Sequence, residues 1–206
     1  MPRSTAQHES KTRLLEAALL TFRTNGYAAT TIDDVCGAAG LTKGSFFYHF
    51  KSKEELALGA AEHFAAAARD LFAGAPYHLA PDPLQRLLGY VDLRKALLQG
   101  RLPEFTCLLG TMVQETFESH PAIRAACETH ISAHAAEVAR DIADAKQRYA
   151  PEADWSAESL GLFTQAVIQG AFVLAKAKGS PEVATECLDH LRRYLEILFH
   201  QAEQGS

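Results

Sequence analysis

Between Thr42 and Lys53 the chain reads TKGSFFYHFKSK, a run of hydroxyls, lysines and a tyrosine that contains no acid. Lysine neutralises phosphate and releases the counterions held around a nucleic acid. Hydroxyl and phenol groups donate to phosphate oxygens and fix register along a duplex. Read as a short helix, the run turns Phe47 and Phe50 toward its neighbours. Thr42, Lys43, Ser45, Tyr48 and His49 are then left along an exposed edge. Small side chains near the start of such a helix let its backbone approach base edges in a major groove. The free N–H groups of the preceding helix, near Thr31, suit one more phosphate.

Other chemistry is thinner. Cys127, His130 and His134 stand at i, i+3 and i+7, so one helix face would present a thiolate and two imidazoles. That pattern suits zinc, but nothing obvious supplies a fourth ligand, and ordinary packing with solvated histidines is the stronger reading. No nucleophile motif, phosphate-binding glycine loop or acid–base pair is present, so neither an enzyme nor a cofactor is indicated. The four cysteines, Cys36, Cys107, Cys127 and Cys187, form no CxxC pair and read as free thiols of a reducing compartment.

The elements that position these residues are helical throughout; no stretch sustains a period of two. A first helix begins near Ser4, carries Leu14, Leu15, Ala18, Leu19 and Phe22 as its apolar stripe, and ends at Gly26. Thr31 caps a second helix by accepting from the N–H of Asp34, and Gly40 stops it. Thr42 caps a third, and Ser52-x-x-Glu55 opens a longer fourth that runs to Gly74. Two short helices joined by a glycine turn make the helix-turn-helix pattern. GAPYHLAPDP is a turn or loop by composition. Helical patterns resume over roughly 83–100, 104–118, 121–149, 156–178 and 181–203, giving an all-α chain of about nine helices.

The stretch TTIDDVCGAAGLTKGSFFYHFKSKEEL, with the first helix ahead of it, resembles the DNA-binding domain of TetR-type transcriptional repressors over roughly residues 10–60. The resemblance implies a homodimer, a palindromic operator on double-stranded DNA and a divergent C-terminal domain that binds a small-molecule effector. Carried over by position, it assigns DNA contacts to Thr31, Thr42, Lys43, Ser45, Tyr48, His49 and Lys53, with Phe47 and Phe50 structural. The division it implies is 1–53 for the DNA-binding domain and 54–206 for effector binding and dimerisation.

Charge agrees with that division. Residues 1–53 hold seven basic and four acidic residues, net +3, while the rest holds thirteen and twenty-one, net −8. A basic head on an acidic body fits an anionic polymer as partner. With 48% hydrophobic and 22% charged residues, no apolar signal core in MPRSTAQHESKTR and no uninterrupted apolar run of membrane length, a cytoplasmic globular protein is expected.

In the body, Leu160, Phe163, Val167, Ala171 and Leu174, followed by Val183, Leu188, Leu191, Leu195, Leu198 and Phe199, keep helical spacing. They are the expected dimer interface, a four-helix bundle with two helices from each subunit. Bulky apolar residues between head and interface are expected to enclose a hydrophobic or aromatic ligand. The candidates are Phe64, Tyr90, Phe105, Cys107, Met112, Phe117, His134, Phe163, Gln169 and Phe172, with Gln114 and Gln165 as further polar handles. The segment CLLGTMVQE from Cys107 is also similar to one in a TetR-type subgroup, some of whose members sense electrophiles or oxidants through a cysteine there. A thiol sensor within the same scaffold is therefore the alternative.

Overall fold

The structure is a computed structural model that describes residues 3–204. Ten α-helices and one 3-10 turn make up its regular structure, and no strand occurs among the described residues. The helices are α1 (Arg3–Asn25), α2 (Ile32–Ala39), α3 (Lys43–His49), α4 (Lys53–Ala73), α5 (Pro83–Ala96), α6 (Leu102–Phe105), α7 (Leu108–Thr116), α8 (Pro121–Tyr149), α9 (Ala157–Lys178) and α10 (Glu182–Gln204). They form two compact units: residues 1–69 with 106–130, and residues 70–105 with 131–206.

In the first unit the local sequence dictates where each short helix begins and ends. The Thr31 hydroxyl accepts the Asp34 N–H at 3.2 Å, and the Asp34 carboxylate accepts the Thr31 N–H at 2.8 Å. This reciprocal pair satisfies donors that the first turn of α2 leaves open. Hydrogen bonding to Thr31 also holds the Asp34 carboxyl below its usual range. Gly40 ends α2 at φ +61°, a left-handed conformation that costs a residue with a Cβ about 1–2 kcal/mol. Thr42 caps α3 by accepting the Ser45 N–H at 3.2 Å. α1 packs on α2, α3 and α7, burying Leu14, Ala18, Phe22, Val35, Cys36 and Leu56.

One expectation fails here. Phe46, not Phe47, fills the core: Phe46 is fully buried and Phe50 nearly so, while Phe47 is 55% exposed. Positions 46 and 50 share a helical face at i, i+4, and α3 stops at Phe50, whose N–H returns to the Phe46 carbonyl at 2.9 Å. With two adjacent phenylalanines, spacings of three and of four to Phe50 both look helical, and only the packing selects one. α4 also begins differently in detail. The Ser52 hydroxyl accepts the Glu55 N–H at 3.1 Å, but the Glu55 carboxylate reaches back to Lys51 N–H at 2.7 Å, one residue further than a capping box requires.

In the second unit α9 packs on α10, and α10 on α5. Arg86 of α5 donates to Asp141 and Asp144 of α8, both at 2.7 Å. The proline-rich stretch expected as a loop contains a 3-10 turn, Pro76–Leu79, whose Tyr77 packs against Gly89 of α5; a Cβ on Gly89 would stand 2.6 Å from that of Tyr77. Gly161 lets α9 approach α8 equally closely, since a Cβ there would meet the Ala135 carbonyl oxygen at 2.8 Å. The expected helix over 104–118 is broken into α6 and α7 at Cys107, whose Sγ accepts the Gly110 N–H at 3.5 Å as the cap of α7.

α9 is the one described helix long and apolar enough to cross a membrane. Its composition is accounted for by two faces. Leu160, Thr164, Ile168, Ala171 and Ala175 are buried, while Leu162, Phe163, Val173 and Leu174 are 42–54% exposed. On α10 the expected interface residues Leu188, Leu191, Leu195 and Phe199 are buried inside this unit, and Tyr194 and Ile197 are the exposed apolar groups. Phe163 and Tyr194 stand 5.2 Å apart and join the two helices into one surface.

Candidate nucleic-acid interface and effector cavity

The edge of α3 is laid out by its cap and its buried Phe46. Thr42, Lys43 and Tyr48 are exposed and Ser45 is half-buried, so these four share the outward side of a two-turn helix. Tyr48 is 66% exposed, with no packing role beyond the ring of His49 at 4.9 Å. Lys43 pairs with Asp33 at 2.9 Å, both well exposed. Such a pair is worth at most about 1 kcal/mol, so a phosphate displaces Asp33 easily. Thr31 is exposed at the start of α2, beside the first-turn N–H groups.

Two of the expected contacts are already engaged. His49 is half-buried, with Nε2 2.7 Å from the Ser10 hydroxyl, and burial lowers its pKa, with Lys11 adding to the effect. The Lys53 ammonium donates to the carbonyls of Tyr27, Ala28 and Thr30 at 2.9, 3.3 and 2.9 Å, and lies 4.4 Å from the Tyr27 ring centroid. Glu115 of α7 holds the same loop from its donor side, accepting the Ala28 N–H at 2.8 Å. Arg23 donates to the Thr106 carbonyl at 3.2 Å. The turn that orients α2 and α3 is thus fastened by Lys53 together with Glu115, which the sequence did not single out. No local periodicity links positions 28 and 115.

The second unit contains a cavity of about 310 Å³ at the end of α4, the 3-10 turn, α5 and α8. Phe72, Tyr77 and Tyr90 supply its aromatic wall, and His78, His134, Glu137, Arg140 and Asp141 its polar groups. Of the ten expected ligand residues, Tyr90 and His134 line it and the other eight do not. Phe105 and Phe172 pair with each other at 6.2 Å, Gln169 is half-buried on α9, and Phe163 is exposed. Phe64, Cys107, Met112 and Phe117 belong to the first unit; Met112 is fully buried there and Phe117 is 54% exposed. Phe64 is half-buried beneath the Arg23 guanidinium, 5.9 Å from its ring.

Inside the cavity wall the Gln165 amide donates to Tyr90 Oη at 2.9 Å, and Tyr90 Oη lies 3.0 Å from His134 Nε2. Burial, reinforced by Arg94, lowers the His134 pKa to about 4, so its imidazole is neutral at pH 7. Burial first, then Tyr90 and the carboxylates of Asp141 and Glu137, raises the Tyr77 hydroxyl far above its ordinary value.

The remaining candidates for metal chemistry are committed elsewhere. Cys127 is fully buried with its thiol pushed up to about 12 by burial, and His130 Nε2 is 3.3 Å from Glu62. Among the described residues no group of three His, Cys, Asp or Glu side chains is placed to hold a metal ion.

A capped, solvent-facing α3 set against α2 by a left-handed glycine, at the front of an all-helical chain, defines a helix-turn-helix DNA-binding regulator. Residues 14–60 match the family described as bacterial regulatory proteins, tetR family, and residues 83–191 match the tetracyclin repressor-like C-terminal domain. The chain belongs to the TetR family of transcriptional regulators.

Among its relatives, the uncharacterised HTH-type regulator YerO of Bacillus subtilis is 35% identical over 81 residues, which are 39% of this chain and 28% of YerO. The HTH-type transcriptional repressor KstR2 of Mycobacterium tuberculosis is 38% identical over 80 residues, 37% of this chain and 38% of KstR2. The chain therefore aligns with well under half the length of these relatives. A TetR regulator from Chloroflexus aurantiacus superposes with a TM-score of 0.79 at 25% identity, covering 93% of this chain and 96% of that one.

Proposed function

We propose that the protein is a homodimeric cytoplasmic repressor, released from a palindromic operator by a small hydrophobic or aromatic effector. Residues 1–53 are its DNA-binding head and 54–206 its effector-binding and dimerisation body. The observation that carries this reading is the outward edge of α3, where Thr42, Lys43, Ser45 and Tyr48 stand together with no acid between Thr42 and Lys53. Thr31, His49 and Lys53 complete the assigned set, Lys53 by holding the loop before α2. Two such heads about 34 Å apart read successive major grooves on one side of a duplex. The apolar surface of Phe163, Leu174, Tyr194 and Ile197 supports a dimer that sets that spacing. α4 runs from the head into the second unit, so a ligand that prefers one placement of α4 changes operator affinity by its differential affinity for the two states. Footprinting on genomic fragments tests this: one protected palindrome, lost with Lys43→Ala/Tyr48→Ala, is the expected result. Diffuse protection, or a monomer at working concentration, overturns it.

One observation favours a second reading. Cys107 Sγ sits at the N-terminus of α7 and accepts the Gly110 N–H at 3.5 Å, so a change at this sulfur acts on the cap of α7. In this reading an electrophile or oxidant acts on Cys107, and the released α7 loosens operator binding. If a quinone or peroxide leaves operator binding unchanged, or Cys107→Ser responds in full, this reading is discarded.

A further inference from the structure

Gln165, Tyr90 and His134 form a hydrogen-bonded row at the cavity wall. Tyr90 Oη accepts from Gln165 at 2.9 Å and lies 3.0 Å from His134 Nε2. In a neutral imidazole one nitrogen accepts and the other carries the proton, so when Tyr90 donates to Nε2 the donor is Nδ1–H. Nδ1 stands 3.7 Å from Glu137 Oε2, too far for a hydrogen bond. The exposed Arg140 stands 3.9 Å from the other Glu137 oxygen, Oε1. A donor and an acceptor thus lie side by side on the wall, with a gap that one oxygen carrying one proton would close.

The surroundings restrict what carries that hydroxyl. Phe72 and Tyr90 stand 5.6 Å apart and Tyr77 meets Tyr90 edge-on at 6.2 Å, which leaves flat aromatic surface for a ring. The Asp141 charge is paired with Arg86, which donates to its Oδ1 at 2.7 Å. An anionic ligand meets Glu137 at close range. A cationic one meets Arg140, which lines the same wall. A volume of about 310 Å³ is at the small end for ligand sites and suits one or two fused rings.

We propose that this cavity binds a neutral, planar aromatic molecule bearing a phenol-type hydroxyl, which donates to Glu137 and accepts from His134 Nδ1–H. The inference rests on the body being the effector-binding part, and it names the class of effector. The test is calorimetric titration of the full-length protein without DNA, at pH 7, using 2-naphthol, 2-methoxynaphthalene, 2-naphthoate and 2-naphthylmethylammonium. The naphthol is expected to bind at least tenfold tighter than the other three. Glu137→Ala, on a half-exposed position, is expected to weaken naphthol at least tenfold while leaving the methoxy compound unaffected. Equal binding of naphthol and its methyl ether, tighter binding of either ion, or no effect of Glu137→Ala overturns the assignment. Operator affinity is measured separately. Naphthol binding with unchanged operator affinity upholds the cavity and removes its effector role. Intact operator binding with no naphthol binding overturns the cavity alone.

Discussion

Glu115 of α7 accepts the backbone N–H of Ala28 at 2.8 Å, joining residues 87 positions apart. Lys53 grips the neighbouring carbonyls of the same loop, and Gly26 passes so close that a Cβ would lie 2.4 Å from the Glu115 carboxylate. The loop between α1 and α2 is therefore held through both its donors and its acceptors. Glu115→Ala is expected to cost about 1 kcal/mol of stability, read as a lowered thermal midpoint. A weaker operator complex accompanies it, because α2 and α3 lose their fixed angle.

Lys43 and Lys53 separate by role although both are lysines of one basic run. Lys43→Ala is expected to leave the melting temperature unchanged and to reduce the slope of log affinity against log salt by about one phosphate contact. Lys53→Met leaves three carbonyls without their donor, so it is expected to destabilise the fold by about 1–2 kcal/mol. A titration of DNA binding at several salt concentrations, beside thermal melts of both variants, checks the contrast.

Acidification acts through His134. Its folded pKa is about 4, against about 6.5 for an unfolded histidine. The unfolded chain binds the extra proton between these values, so stability falls as pH drops from 6.5 to 4, by up to about 3 kcal/mol. His134→Gln is expected to flatten that part of the pH–stability curve. Denaturant melts at half-unit pH steps would show it.

Gly161 marks a close approach of α9 to α8 in the second unit. Gly161→Ala forces α9 away from the Ala135 carbonyl, 2.8 Å from the new methyl. Overpacking of this kind is expected to cost about 1–3 kcal/mol. The neighbouring surface change Gly170→Ala, with open space around it, is expected to be neutral or slightly stabilising. Comparing the two midpoints tests whether packing or helix propensity governs α9.

The sequence by itself determined the limits of α2, the start of α3 and the end of α9. Thr31, Gly40, Thr42 and Gly179 act on backbone groups within four residues, and such short-range chemistry is legible in one dimension. It also marked Thr42, Lys43, Ser45 and Tyr48 as one edge, because helical spacing places them together. Tertiary structure alone decided that Phe46 rather than Phe47 enters the core, since two adjacent rings fit the period equally well. The same holds for Lys53, whose ammonium has three carbonyl partners that lie more than twenty positions earlier. The cavity was half legible. Tyr90 and His134 were among the bulky candidates, but Phe72, Tyr77 and Glu137 join them only because Gly89 admits the 3-10 turn against α5 and Arg86 ties α5 to α8. Which apolar residues cover one another depends on how distant helices pack, and that is set by contacts no local period encodes.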